Sequence, residues 1–333
     1  MSILLIGCGY WGRNWAKTLN AIGELGAICE PSPVLQEQIK SNYPDVAVYA
    51  KLDDALKHSG IEGCVIATPV PTHSIVAQQC LLADKHVLVE KPLTLYSIEA
   101  EELVELAESR NLVLAVGHVL MYHPALLALQ NLIRSGELGE ILAVQCTRVN
   151  LGKIRNEENV WWSLAPHDIS IVSLLLEEPL IPVSASRQNL LRRPEIADTV
   201  SASFTTPSGR EASVRVSWLS PVKQHETIVI GSEKIAIFDD ALPADRKLSV
   251  LDYHLDRNGD HVSEIQRGNS QAISFETGGD DILTREARGF IAAIRDGASI
   301  PNTGRNGLLI VQMLEQVQSM LENQTKNVAA LAR

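Results

Sequence analysis

The stretch Ile3-Leu4-Leu5-Ile6-Gly7-Cys8-Gly9-Tyr10-Trp11-Gly12 passes from an apolar run through a glycine turn into a helical segment. That order of strand, turn and helix N-terminus is the one a dinucleotide pyrophosphate requires. Gly7 permits the tight turn, Gly9 lets the backbone approach the phosphates, and Gly12 lets the helix lie close to the strand while its N–H groups face the anion. Tyr10 and Trp11 lie inside this turn and are placed with the glycines around the cofactor. Glu30 ends the next apolar run, Leu25 to Cys29, eighteen residues beyond Gly12. A carboxylate there accepts hydrogen bonds from an adenosine ribose and repels a 2′-phosphate, which predicts NAD rather than NADP.

The chain has 333 residues, enough for about two domains and a sizeable core. Its formal net charge of -11 and the absence of any Lys/Arg run longer than two argue against a nucleic-acid partner. Cys8, Cys29, Cys64, Cys80 and Cys146 are scattered in apolar stretches without a C-x-x-C pair, as expected of reduced core residues in a cytoplasmic protein. The first strand starts near the third residue, leaving no room for a signal peptide, and no apolar run approaches a membrane span. Nothing in the pattern calls for a metal.

From residue 1 to about 118 the sequence alternates short apolar runs with helical stretches. The runs are Ile3 to Ile6, Gly26 to Cys29, Val46 to Tyr49, Cys64 to Ala67, His86 to Val89 and Leu112 to Val116. This alternation predicts a Rossmann-type, doubly wound parallel sheet over residues 1–118. After a helix from Pro124 to Arg134, the stretch from Ile141 to about Ile273 reads as mostly strands. Val200, Ala202 and Phe204 alternate before Pro207-Ser208-Gly209, and Val214, Val216 and Trp218 after it, the pattern of a hairpin with one buried face. Residues 119–333 are therefore assigned to a second, α+β domain with an open, mostly antiparallel sheet, and the whole chain to the α/β class.

Three constellations could carry chemistry. Ala67-Thr68-Pro69 with His73 follows the fourth strand, where proline stops the ladder and turns the chain over the cofactor. Glu90-Lys91-Pro92 follows the fifth strand; a lysine there reaches a nicotinamide ribose and a substrate hydroxyl and favours a developing alkoxide. A cis Lys91-Pro92 bond would aim the ammonium. The third is Trp161-Trp162-Ser163-Leu164-Ala165-Pro166-His167-Asp168. Pro166 suits a first helical turn, which would put His167 at a helix start where the dipole keeps imidazole neutral enough to take a proton, with Asp168 as cap or supporting partner.

The segment Arg148 to Arg155, with Asn156 to Asn159, concentrates basic and amide groups suited to an anionic, hydroxyl-rich ligand. Lys153, Arg155 and Asn159 are its candidate substrate contacts. Arg192-Arg193 reads as surface. His118, Tyr122 and His123 lie at the crossing into the second domain, placed either to line a sugar pocket or to pack in the core.

Taken together, Gly7, Gly9 and Gly12, Thr68-Pro69 with His73, Glu90-Lys91-Pro92, Gly117-His118 and His167-Asp168 make the chain resemble the glucose-fructose oxidoreductase and inositol dehydrogenase (Gfo/Idh/MocA) family over essentially its full length. The resemblance implies an NAD-dependent oxidoreductase with Lys91 and His167 as catalytic residues and an exposed sheet face that makes homodimers or homotetramers. Many polyol dehydrogenases of that family carry an aspartate four residues before the histidine; here the position is Ser163, which points away from inositol-like substrates. The stretch from Gly152 to Ser170 is similar to a nucleotide-sugar 3-dehydrogenase branch. That branch oxidises the 3-hydroxyl of UDP-N-acetylglucosamine, or of its uronic acid, ahead of a pyridoxal-phosphate aminotransferase in lipid A or polysaccharide biosynthesis. A nucleotide-binding sensor that keeps the fold without catalysis is the alternative of another class.

Overall fold

The computed structural model describes residues 2–155, 158–193, 196–258 and 261–331. The chain folds into two compact units, one formed by residues 1–122 and 279–312, the other by 123–278 and 313–333.

The first unit begins with β1 (Ser2–Ile6), α1 (Gly12–Ala21), β2 (Leu25–Cys29), α2 (Pro33–Asn42), β3 (Ala47–Tyr49), α3 (Leu52–Ala55) and β4 (Ile61–Ile66). It continues with α4 (His73–Leu82), β5 (His86–Glu90), α5 (Ser97–Ser109) and β6 (Leu114–Gly117). The strands form one parallel sheet in the order β3-β2-β1-β4-β5-β6. Helices cover both faces, so the strands are apolar throughout: Ile3, Leu4, Leu5 and Ile6 are all buried. The strand order reverses between β1 and β4, and at that switch point ligands of such sheets bind beyond the strand C-termini. Glu30, Glu90 and Gly117 lie at the same edge, directly after or at the ends of β2, β5 and β6.

The second unit contains α6 (Pro124–Arg134), β7 (Ile141–Leu151), α7 (Val160–Leu176), β8 (Ile181–Gln188), β9 (Thr199–Thr205) and β10 (Glu211–Ser217). β11 (Leu219–Gly231), β12 (Lys234–Asp239), β13 (Leu248–Asn258) and β14 (His261–Ala272) follow. Its eight-stranded sheet has the order β14-β13-β12-β11-β7-β10-β9-β8 and is antiparallel except at β10–β7. Val200, Ala202 and Phe204 pair with Val216, Val214 and Ala212, and all six are buried, so the hairpin has the predicted buried face.

Two helices close the chain, α8 (Ile282–Asp296) and α9 (Gly304–Leu331). The sequence reading assigns all of 119–333 to the second domain. The fold instead returns 279–312 to the first unit, because Leu283, Ala287, Phe290 and Ile291 of α8 form an apolar stripe that packs against α1. All five cysteines are buried and free, and no described helix is long and apolar enough to cross a membrane.

Candidate active site

The glycine turn follows β1 at the switch point. Gly7 has φ +84°, and a Cβ on it would lie 2.9 Å from the Ala67 carbonyl oxygen. A Cβ on Gly12 would lie 2.1 Å from the Gly7 carbonyl oxygen, whereas one on Gly9 would meet nothing within 4 Å. The turn is thus closed on its protein side and open in front. Helix α1 starts directly behind this turn without a side-chain cap, its Arg13 N and Asn14 N donating to the Gly9 and Trp11 carbonyls at 3.3 and 2.9 Å, so its positive dipole end faces the place of an anion.

Glu30 is buried, its Oε2 accepting from Cys8 N at 2.8 Å and its Oε1 from Ser32 N at 2.9 Å. These bonds tie the second strand's acid to the glycine turn and leave roughly two of its four lone-pair positions for ribose hydroxyls. Beside it a cavity of about 140 Å³ is lined by Cys8, Arg13, Leu35, Gln38, Asn42 and Tyr43. Open glycine, uncapped helix and acid together fit a dinucleotide. Gly12→Ala should cost about 1–3 kcal/mol, roughly ten- to a hundredfold if it appears in NAD affinity, because its Cβ collides with backbone. Gly9→Ala should leave the unfolding midpoint unchanged and weaken only NAD binding; calorimetric titration and thermal unfolding of both variants check this.

Glu90 joins α1 to the end of β5. Its Oε1 accepts from Trp15 Nε1 at 2.6 Å and also from Trp11 Nε1, and its Oε2 accepts from Lys91 N at 3.3 Å. Burial pushes the Glu90 carboxyl up; the Trp15 and Trp11 donors and the Lys91 ammonium oppose that. Trp11 is therefore half-exposed and committed to Glu90, while Tyr10 is 93% exposed. The Lys91-Pro92 bond is cis. His73 is buried, with Nδ1 at 2.9 Å from the Pro92 carbonyl and Nε2 at 2.9 Å from the Thr68 carbonyl. Its ring staples the loops after β4 and β5 together; placed there, it shapes the cofactor edge rather than presenting a nitrogen to it. Thr68 itself accepts from Thr72 Oγ1 at 2.8 Å.

His118 is buried, and neither ring nitrogen has a hydrogen-bond partner among the described residues. Burial, reinforced by Lys91, pushes its pKa down to about 3, so the ring is neutral. Tyr122 donates from its hydroxyl to Asn302 Oδ1 at 2.7 Å within the first unit. His123 caps α6, its Nδ1 accepting from Ala125 N at 3.1 Å.

In the second unit, α7 departs from the sequence reading. It begins at Val160, and the Asn159 carboxamide oxygen caps it by accepting from Trp161 N at 3.0 Å and Trp162 N at 3.2 Å. Pro166 lies inside the helix, and His167 stands in its eighth position. His167 therefore stands two turns into the helix, away from the positive dipole end expected for it, because the cap and the burial of Val160 and Trp161 outweigh the lost proline hydrogen bond. Asn159 also donates to Gln318 Oε1 at 2.8 Å, so its amide is a helix anchor and not a substrate contact.

His167 is half-buried, with Ser163 one turn before it. Its neighbour Asp168 is buried and accepts from Arg148 Nε at 3.1 and 3.0 Å on its two oxygens. Burial pushes the Asp168 carboxyl up and Arg148 pulls it back down. Arg148 is thus a structural ion pair, removed from the anion-binding set.

Lys153 and Arg155 are exposed, Arg155 Nε pairing with Glu158 Oε1 at 3.0 Å; Asn156 and Glu157, in the same segment, lie outside the described residues. Arg193, read from sequence as surface, donates to the Arg155 carbonyl at 2.6 Å and to the fully buried Asp198 at 2.6 Å. Its guanidinium also lies 5.4 Å from the Trp218 ring centroid, so it fixes the backbone that carries Lys153 and Arg155. Sequence reasoning missed Trp15, Asn302, Asp198 and this role of Arg193. Trp15 had a usable signal, since it stands four residues after Trp11 on the same helical face.

A glycine-turn Rossmann unit with a strand-end lysine, in one chain with a separate α+β unit, defines the class of two-domain nicotinamide-dependent oxidoreductases. Residues 1–118 match the model of the oxidoreductase family with NAD-binding Rossmann fold, and residues 126–237 match the GFO/IDH/MocA C-terminal domain. The chain belongs to the GFO/IDH/MocA oxidoreductase family, and its cofactor is NAD.

Among its relatives is the UDP-N-acetylglucosamine 3-dehydrogenase of Acidithiobacillus ferrooxidans, 28% identical over 214 residues, covering 64% of this chain and 66% of that protein. The inositol 2-dehydrogenase of Rhizobium meliloti is 24% identical over 98% of both chains. The chain spans 33%, 66% and 29% of the length of three curated relatives, the first and third being uncharacterized oxidoreductases of Schizosaccharomyces pombe. The solved structure of the Acidithiobacillus enzyme has a TM-score of 0.82 at 24% identity, covering 97% of this chain and 98% of its own. GenD2 from gentamicin A biosynthesis, solved in complex with NAD, has a TM-score of 0.81 at 22% identity, covering 97% of this chain and 95% of its own.

Proposed function

We propose that the protein oxidises the 3-hydroxyl of a UDP-sugar with NAD, and that the sugar is UDP-N-acetylglucosamine. The observation that carries this reading is the loop of Lys153 and Arg155, whose backbone is clamped by Arg193 just ahead of the helix bearing His167. Exposed cations on a fixed backbone suit a diphosphate, which an unphosphorylated polyol lacks. Ser163 in place of an acid one turn before His167 favours the same branch, and so does the relative that acts on UDP-N-acetylglucosamine.

Bound NAD supplies the hydride acceptor. His167 takes the proton of the substrate 3-hydroxyl, and the Lys91 ammonium steadies the negative charge that grows on that oxygen. Glu90, held by Trp11 and Trp15, and His73, bridging the two loops, fix the backbone on which Lys91 stands. The 3-keto product is the substrate an aminotransferase would take, which places the reaction before transamination in lipid A or another surface glycan. A homodimer or homotetramer formed through the exposed sheet face completes the proposal.

Incubating the pure protein and NAD with UDP-N-acetylglucosamine or its uronic acid, with a carbonyl trap to draw the oxidation forward, tests the reading. NADH should form with the neutral sugar. NADH with the uronic acid alone moves the protein to the carboxylated substrate, and none with either overturns the nucleotide-sugar assignment.

A further inference from the structure

Helix α8 buries Leu283, Glu286, Ala287, Phe290 and Ile291, an apolar stripe with one acid in it. Glu286 is 0% exposed. Its Oε1 accepts from Asn302 Nδ2 at 3.1 Å, and its Oε2 has no hydrogen-bond partner among the described residues. The same Asn302 Nδ2 donates to the Val116 carbonyl at 2.6 Å, which docks Glu286 on the end of β6. One residue further on, Gly117 is the register partner of Glu90, and a Cβ there would lie 3.0 Å from Glu90 Oε2. The two carboxyl groups therefore converge on the end of β6.

Their surroundings differ. Glu90 accepts three N–H groups, from Trp11, Trp15 and Lys91, whereas Glu286 accepts one from a neutral amide. An anion with a single neutral donor in an apolar interior costs far more than a neutral acid with one unsatisfied hydroxyl, and two adjoining carboxyls do not both ionise readily.

We propose that Glu286 holds a proton at neutral pH, leaving the single negative charge of the pair on Glu90 beside Lys91. The role beside Lys91 rests on the reaction proposed above; the protonation does not. Burial, and next the charge of Glu90, push the Glu286 carboxyl well above the usual range. The titratable groups on the elements around it are Arg13 and Lys17 of α1, His118 and Tyr122 after β6, Glu90 at the end of β5 and Lys91 after it, and on α8 itself Arg285, Asp296, Arg288, paired with Asp280 at 2.9 Å, and Arg295, paired with Glu24 at 2.7 Å. Tyr122 is raised chiefly by burial and then by Glu286.

The test uses the full chain as wild type, Glu286→Gln and Glu90→Gln. A folded-state pKa above the unfolded value means stability is fully present below the unfolded pKa, about 4.3, and is lost as pH rises toward the folded pKa. Glu286→Gln should therefore unfold at a higher urea concentration than wild type near neutral pH, with the gain vanishing near about pH 4. Glu90→Gln should shorten that window from its alkaline end.

Infrared spectra of wild type with 13C-labelled glutamate should show a protonated-carboxyl band at neutral pH that Glu286→Gln removes. In turnover, Glu90→Gln should move the alkaline limb of kcat/KM to lower pH, as Lys91 loses its anion, and Glu286→Gln should not move it. A wild type without the carboxyl band, or no pH-dependent gain in Glu286→Gln, overturns the protonated state. An unmoved window in Glu90→Gln overturns the pairing. Neither result depends on which sugar is oxidised.

Discussion

Replacing His167 with alanine should lower kcat by about a hundredfold to ten-thousandfold, the usual worth of a positioned proton acceptor. The Kd for NAD should not change, because the glycine turn, Glu30 and the loops joined by His73 all belong to the first unit, whereas α7 belongs to the second. Loss in kcat without loss in cofactor binding is the signature of an interaction made in the transition state. His167→Gln separates proton transfer from placement, since glutamine keeps a polar group without a base. If the glutamine variant turns over like wild type, His167 positions substrate and another group takes the proton. If both variants do, the assignment fails. Stopped-flow NADH formation with single-turnover enzyme reads the chemical step directly, so slow product release cannot mask the effect.

The parts of this site that rest on local spacing were legible in the sequence. Gly7, Gly9 and Gly12 announce their turn because each spacing answers a steric need within six residues: a Cβ on Gly7 or Gly12 would clash with protein backbone, while Gly9 keeps open the space in front of the turn. Glu30 was legible for the same reason, as the residue after the second strand, although its bonds to Cys8 and Ser32 were not. What escaped depends on pairs set by topology. The Trp15–Glu90 bond spans α1 and β5, Arg193 reaches back to Arg155, and Asn302 meets Val116 only because the chain returns to the first unit after the antiparallel sheet. Pro166 misled the reading of α7 in a different way. Local preference places proline in a first turn, but Asn159 supplies a stronger start seven residues earlier, and the buried Trp161 holds the helix through the proline.

Replacing Arg148 with methionine should cost about 3–5 kcal/mol of stability at neutral pH, because it strands the Asp168 carboxylate in the interior without its counter-ion. His225 lies 3.4 Å from Arg148 Nη1, and burial, then the Arg148 charge, push its imidazole down to about 4, so it adds no second cation to the pair at neutral pH. Without arginine the Asp168 pKa rises further, so the folded state keeps a proton that the unfolded chain has released. The variant's deficit is then small near about pH 4 and grows as pH rises through the window up to the new folded pKa. Urea unfolding across pH measures this directly. Asp168→Leu added to Arg148→Met should restore much of the loss, since an apolar pair of similar volume leaves no charge to desolvate, and the two substitutions should be strongly non-additive. Because Asp168 precedes Ile169 and follows His167 on one buried helical turn, the double variant also asks whether the ion pair sets the rotation of α7. Full stability with a depressed kcat would show that it does, and recovery of both would make the pair a matter of folding alone.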